Sequence, residues 1–261
     1  MRSVYWLLIG MGIAVLASAN GNGAPIPPAI TAAVADTHRP AEQARLDSRR
    51  KPAQLLAFAS IKPGDRIADF MPGNAYFTRI MSKVVGPGGK VYAFIPQEQI
   101  NNCLPSEVAG SRAMAHDPAY PNVTLLTGPV NQFTVPQRLD ILWTAQNYHD
   151  LHDAFMKPAS TQVLNKAFFD ALKPGGVLII IDHTAALGSG LRDTETLHRI
   201  DPASVRREVE AAGFQFEAEI DDLKNAEDDH TRTVFDPLIR GKTDQFVFKF
   251  RKPGLKRNGS P

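Results

Sequence analysis

Ala171–His183 reads ALKPGGVLIIIDH, and its two halves obey different rules. The run Val177–Ile181 is apolar at every position, which suits a strand covered on both faces, as in the middle of a parallel sheet. Ahead of it, Lys173-Pro174-Gly175-Gly176 cannot continue a helix, because proline lacks the N–H donor and glycine is a poor helix former. Just upstream, Val163, Leu164, Ala167, Phe168, Ala171 and Leu172 recur at helical spacing, so 161–172 is predicted to be an amphipathic helix ending at that stop. Helix, stop and buried strand together specify a parallel sheet covered by helices.

The same alternation extends in both directions. RIADF (Arg66–Phe70), VYAFI (Val91–Ile95), VTLLT (Val123–Thr127) and LDILWT (Leu139–Thr144) are short runs of strand length, with helical patterns between several of them. Downstream, 202–212 reads as a helix with Asp201 as N-cap, Pro202 in its first turn and Gly213 just past its end. Phe214–Ile220 and Gln245–Phe250 then alternate like strands across a polar, charge-rich loop. The expected fold class is α/β: a doubly wound, mostly parallel sheet closed by a C-terminal antiparallel hairpin.

The termini read differently. Arg2 followed by the uncharged, mainly apolar run Val4–Ala17 and by Ala17-Ser18-Ala19 has the form of a cleaved export signal over 1–19. That run is shorter than the roughly 20 residues a spanning helix needs, so no stable membrane span is expected after cleavage, and the mature protein is expected to be exported, to a periplasm. Residues 20–37 are Gly, Pro and Ala with few large side chains and read as a flexible linker; 38–250 form one domain; 251–261 are a basic tail. Within the domain, 51–59 carries an apolar stripe at Leu55, Leu56 and Phe58 and reads as a lid or edge helix. With 29 Lys and Arg against 27 Asp and Glu, the chain gives no reason to expect a nucleic-acid partner. Cys103 is the one cysteine, so no internal disulfide is possible and the fold must rest on its core.

Open α/β sheets bind ligands beyond the carboxyl ends of their strands. After the first strand comes PGNAYFT, where Gly73 permits close backbone approach and the N–H groups opening the next helix can face a ligand. Beyond the fourth lies AQNYHDLHD, Ala145–Asp153, with Asn147, Tyr148, His149, Asp150, His152 and Asp153 crowded together, and beyond the fifth Asp182-His183. This is the densest group of titratable side chains in the chain.

On these residues the chain resembles the class I S-adenosylmethionine-dependent methyltransferases, and within them an exported bacterial group. The resemblance rests on 51–94, on LDILWTAQNYHDLHD (Leu139–Asp153), on ALKPGGVLIIIDH and on DPASVRREVEAAGF (Asp201–Phe214), in the order the family uses. It implies a Rossmann-like methyltransferase fold with a seven-stranded sheet, and S-adenosylmethionine as cofactor. It also implies a cradle formed by Asp69, Met71, Gly73, Asn74 and Ala75, with Asn147 joining from the fourth strand. Met71 and Ala75 stand where the family has two further glycines, Ile95 where it has the acid that binds the ribose, and Gly128-Pro129 where an aspartate often meets the adenine. Glu98, three residues beyond Ile95, is then the acid expected at the ribose.

The chemistry implied is methyl transfer to a small-molecule acceptor, with His149 as base and Tyr148 orienting the acceptor. Asp150 and Asp153 read as acids at a helix N-terminus, and His198 and His230 as loop residues with surface roles, although their loops could fold over the site. Two rivals have different chemistry. One is a metal-assisted enzyme using the His and Asp residues after strands four and five; the other is an exported binding protein that keeps the fold without catalysis.

Overall fold

The structure, a computed structural model, describes residues 25–254. The export signal expected over 1–19, the start of the linker and most of the basic tail lie outside them. Four helices come first: α1 (Pro28–Val34), α2 (Ala41–Ala44), α3 (Asp47–Arg50) and α4 (Pro52–Phe58). There follow β1 (Arg66–Phe70), α5 (Tyr76–Val85), β2 (Lys90–Pro96), α6 (Gln97–Asn102), α7 (Pro105–Met114) and β3 (Val123–Gly128). The chain continues through β4 (Leu139–Ala145), α8 (Thr161–Ala171), β5 (Leu172–His183), α9 (Thr194–Leu197) and α10 (Pro202–Ala211), and ends in β6 (Gln215–Ile220) and β7 (Gln245–Arg251).

The seven strands form one sheet in the order β3-β2-β1-β4-β5-β7-β6. β1 pairs in parallel with β2 and with β4, and β5 in parallel with β4, while β7 runs antiparallel to both β5 and β6. This is the fold class expected from the sequence. Strand alternation sorts side chains to the two faces. Ile67, Ile141, Trp143, Ile179 and Ile181 enter the layer beneath α1, α4 and α5, whereas Ala68, Phe70, Leu142, Leu178 and Ile180 enter the opposite layer beneath α8 and α10. In the second layer Phe70, Phe94, Phe133 and Phe168 meet with ring centroids 5.0–6.0 Å apart, several edge to face, the arrangement favoured by the ring quadrupole.

The linker expectation for 20–37 is corrected over its second half. Residues 28–34 are helical, Ile30 is 0% exposed, and α1 docks on α5 with Ala33 also buried. Composition misled here because one isoleucine and small alanines are enough when a helix lies close against a neighbour. At the other end β7 runs through Arg251, and the backbone of Lys252 bonds that of Gly175 and Gly176, so the domain does not stop at 250. α4 buries Leu55 and Leu56 under the sheet as a wall of the core. Among the described residues no helix is long and apolar enough to cross a membrane.

Candidate functional site

Strand order reverses between β1 and β4, so the loops leaving these two neighbours diverge and open a crevice at their carboxyl ends. The loop after β1 spans 71–75. Met71, Gly73 and Ala75 all take left-handed backbone, with φ of +57°, +55° and +61°. Met71 and Ala75 therefore adopt the conformation a glycine would take freely, at a cost of roughly 1–2 kcal/mol each for an L-residue. Such strain persists only where surrounding contacts over-determine it, and here they do.

The loop is held from both sides. Asn74 C=O accepts from Gln43 Nε2 (2.8 Å) and Arg79 Nη1 (2.6 Å), Gly73 C=O from Ser111 Oγ (2.6 Å), and Asn74 Oδ1 from the Gly110 N–H (2.8 Å). Gly110 of α7 lies so close that a Cβ there would come within 2.6 Å of the Asn74 carbonyl. With the carbonyls drawn to these partners, no acceptor among the described residues meets the N–H groups of Gly73 and Asn74. Met71 buries its side chain to 1% exposure in the layer with Phe70 and Phe94, while its C=O accepts from Asn147 Nδ2 at 2.8 Å.

Above the loop is a cavity of about 290 Å³. Asp69, Met71, Gly73 and Asn74 form one wall, Ala145, Gln146 and Asn147 at the end of β4 another, and Gln43, Leu46 and Arg50 of the N-terminal helices the roof. Asp69 sits at the last position of β1 that faces α5, where its Oδ2 accepts from the Thr78 hydroxyl at 2.6 Å. Burial pushes its carboxyl up to about 7, although the Thr78 hydrogen bond and nearby Arg50 pull the other way. Arg50 lies 4.6 Å over the Tyr76 ring and donates to Gln146 Oε1, and Gln146 is itself left-handed at φ +64°. Arg50, Gln43 and Gln146 were not singled out in the sequence. Arg50 stands in the basic run Arg49-Arg50-Lys51, which reads as a solvated helix end, and only the docking of α2 and α3 turns it inward.

Of the residues anticipated for the cofactor, Asp69, Met71, Gly73, Asn74 and Asn147 line the cavity, and Ala75 starts α5 beside it. Glu98 is placed elsewhere. Its Oε2 accepts from the Val130 N–H at 2.9 Å, tying α6 to the turn after β3, and it is not part of the cavity wall.

Tyr148 and His149 also need correction. Tyr148 is 1% exposed in the apolar layer beneath α8 and α10, where its hydroxyl donates to Glu208 Oε2 (2.8 Å) and accepts from Asn165 Nδ2 (2.7 Å). It joins those helices to the end of β4 and does not face an acceptor. His149 is 3% exposed and has both ring nitrogens engaged, Nδ1 with Asp182 Oδ1 (2.8 Å) and Nε2 with Asp150 Oδ1 (3.1 Å). Burial alone would lower its pKa, but the two carboxylates outweigh it and raise His149 well above the ordinary imidazole range. An imidazole so held is not a free base.

The polar groups after β4 and β5 form a second centre. Residues 149–152 are a 3-10 turn, and Asp150 and Asp153 cap no helix with their side chains. Asp150 pairs instead with His149, and His198, expected at the surface, folds over to bring its Nδ1 to 3.9 Å from Asp150 Oδ1. His183 is turned away to Thr243 (2.8 Å), burial taking its pKa down to about 3, and His230 pairs with Asp244 at 3.1 Å.

No protein-family model matches the sequence, and no curated protein is significantly similar to it. Solved structures are similar in fold. A SAM-dependent methyltransferase from Aquifex aeolicus aligns over 82% of this chain and 98% of its own, with a TM-score of 0.56 and 19% identity. The glycopeptide N-methyltransferase MtfA in complex with sinefungin aligns over 80% of this chain and 87% of its own, with a TM-score of 0.53 and 14% identity. The [4+2]-cyclase SpnF aligns over 84% of both chains, with a TM-score of 0.56 and 16% identity. At these identities the likeness establishes the fold, and one of the three carries out a different reaction on it.

Proposed function

We propose that the cavity between β1 and β4 binds S-adenosylmethionine and that the protein transfers its methyl group to a small-molecule acceptor. The observation that carries this reading is the 71–75 loop, which has three left-handed positions beside the cavity, two of them not glycine. Backbone strain held by its surroundings at the mouth of a cavity is the pattern of ligand-binding loops.

The donor set suits the amino-acid end of such a ligand. Arg50 offers a guanidinium to a carboxylate, Asp69 a carboxyl to an ammonium, and the free N–H groups of Gly73 and Asn74 further donors. The nucleoside end has fewer partners, since Ile95 replaces the ribose acid and Glu98 is engaged with Val130. At about 290 Å³ the cavity is just below the roughly 300–1,000 Å³ typical of small-molecule sites.

When bound, the cofactor supplies a methyl group on a sulfonium centre, which passes to a nucleophile with loss of a neutral thioether. What the chain contributes is position: Asn147, tied to the Met71 carbonyl, and Gln146, tied to Arg50 and Gln245, fix the β4 wall against which the acceptor would rest. Gln43, Leu46 and Arg50 partly cover the cavity opposite that wall. The acceptor, and export of the mature chain to a periplasm, are part of the same proposal.

Calorimetric titration with S-adenosylmethionine and S-adenosylhomocysteine tests the reading. Saturable binding is expected, lost in Gly73→Val, because a β-branched side chain at φ +55° strains the loop although the nearest atom to an added Cβ, Glu107 O, is 3.9 Å away. No heat at millimolar ligand with folded protein would overturn it.

A further inference from the structure

The second polar centre has no part in the reading above, yet it is built more closely than a chance cluster. Asp182 is 0% exposed and does three things at once. Its Oδ2 accepts from the His149 backbone N–H (2.8 Å), and its Oδ1 accepts from the His183 backbone N–H (2.8 Å) and meets His149 Nδ1 (2.8 Å). The carboxylate fixes the rotation of the imidazole and keeps a proton on Nδ1. Nε2 is turned toward Asp150, and an ion that displaces the Nε2 proton would meet that nitrogen already oriented, in the carboxylate–histidine arrangement of metal-bound histidines.

That Nε2 points at Asp150 Oδ1, 3.1 Å away, and His198 Nδ1 approaches the same oxygen. One ligand atom from each of His149, Asp150 and His198 lies within 4.8 Å of the other two. Donors about 2.0–2.2 Å from an ion sit roughly 3–3.5 Å apart, so the first pair is already at that spacing and only His198 must move in. It can, because its side chain is 28% exposed, at the end of α9 with its ring edge against Phe235.

The charge balance points the same way. Asp150, Asp153 and Asp182 converge here, and among the described residues no Lys or Arg side chain is within ion-pair distance of any of them. Asp153 is 1% exposed, lies within electrostatic range of His149 and His198, and has a buried Oδ1 with no hydrogen-bond partner. Three buried or half-buried carboxylates are faced by the His149 imidazole and by no Lys or Arg, and the negative charge this leaves is what a divalent ion in place of the Nε2 proton would neutralise.

We propose that His149 Nε2, Asp150 Oδ1 and His198 Nδ1 form a binding site for a divalent transition metal, with Asp182 as the positioning residue behind His149. Two imidazoles and one carboxylate favour zinc, cobalt, iron or manganese over calcium and magnesium, which take all-oxygen sites. Since Asp150 and His198 are partly exposed while His149 and Asp182 are not, the ion's remaining positions would open outward. The site follows Asn147 by two residues, so it borders the β4 wall of the cavity without using any residue assigned to the cofactor.

The test needs neither cofactor nor acceptor. Chelator-stripped full-length protein, checked for folding by circular dichroism, is titrated with Co²⁺, followed by its visible absorption, and with Zn²⁺ by calorimetry. One ion per chain is expected. Asp150→Asn and His198→Ala should each weaken binding by roughly tenfold or more, and Asp182→Asn by about 10–100-fold although it touches no metal. His230→Ala, in a separate His–Asp pair, should leave binding unchanged. If folded wild-type protein binds neither ion saturably, or if Asp150→Asn and His198→Ala bind as tightly as wild type, the proposal fails. Should Asp182→Asn not fold, those two partly exposed positions decide the matter.

Discussion

Replacing Asp69 by Asn separates what the crevice does for stability from what it does for binding. In the folded chain the Asp69 carboxyl is pushed up to about 7 from 3.8, chiefly by burial. Between these values the folded chain holds a proton that the unfolded chain has released, so stability falls as pH rises through this window and levels off above it. Fully ionised, Asp69 costs the folded state roughly 2–4 kcal/mol. That cost is already net of the attraction to Arg50 and of the Thr78 hydrogen bond, and asparagine keeps an oxygen for the Thr78 hydroxyl while removing the charge. Asp69→Asn should therefore come close to wild type near pH 4 and exceed it by roughly 2–4 kcal/mol near pH 9. Urea unfolding at both pH values measures this, with equal m-values as the check that the denatured state is unchanged. The same variant should bind S-adenosylmethionine more weakly above about pH 7, where the wild-type carboxyl is ionised, with a smaller difference near pH 4. A difference between variant and wild type that does not grow with pH, or a variant less stable near pH 9, would refute the claim that this carboxylate is held in the crevice at the expense of stability.

Other substitutions probe the neighbouring parts. Gly110→Ala places a Cβ within 2.6 Å of the Asn74 backbone and should destabilise the protein by roughly 1–3 kcal/mol while weakening cofactor binding; Gly88→Ala, with nothing within 4 Å, is the control, and thermal melts with calorimetry read both. Tyr148→Phe strands the Asn165 amide and should cost about 1–3 kcal/mol of stability with cofactor affinity unchanged. A drop in affinity without a drop in stability would return Tyr148 to the acceptor site. Arg50→Gln should reduce S-adenosylmethionine affinity by roughly tenfold or more, the loss of one charge-assisted hydrogen bond, and binding unaltered by this change would remove Arg50 from the site.

How much of this could be read in advance differs along the chain. Val177–Ile181, apolar at each position, indicated a central strand, and β5 lies between β4 and β7. The alternation in Gln245–Phe250 indicated the closing hairpin, and β6 and β7 pair antiparallel. These readings held because burial on one face or both is a local, periodic property of the sequence. The helix at 28–34 was missed because its stability comes from α5 and not from its own composition.

The site was legible only in part. Asp69, Gly73 and Asn147 follow strands, and the carboxyl end of a strand is where a doubly wound sheet opens. The sequence alone determined that layered sheet, the turn after β1 and the gathering of His and Asp residues after β4 and β5. The tertiary structure decided which way they face: it turned Tyr148 into the lower layer, bound Glu98 to Val130, and brought Arg50 and His198 over from helices distant in the chain. Side-chain direction at a loop, and the approach of segments many residues apart, are set by which surfaces pack together, and no periodicity within a single segment encodes that.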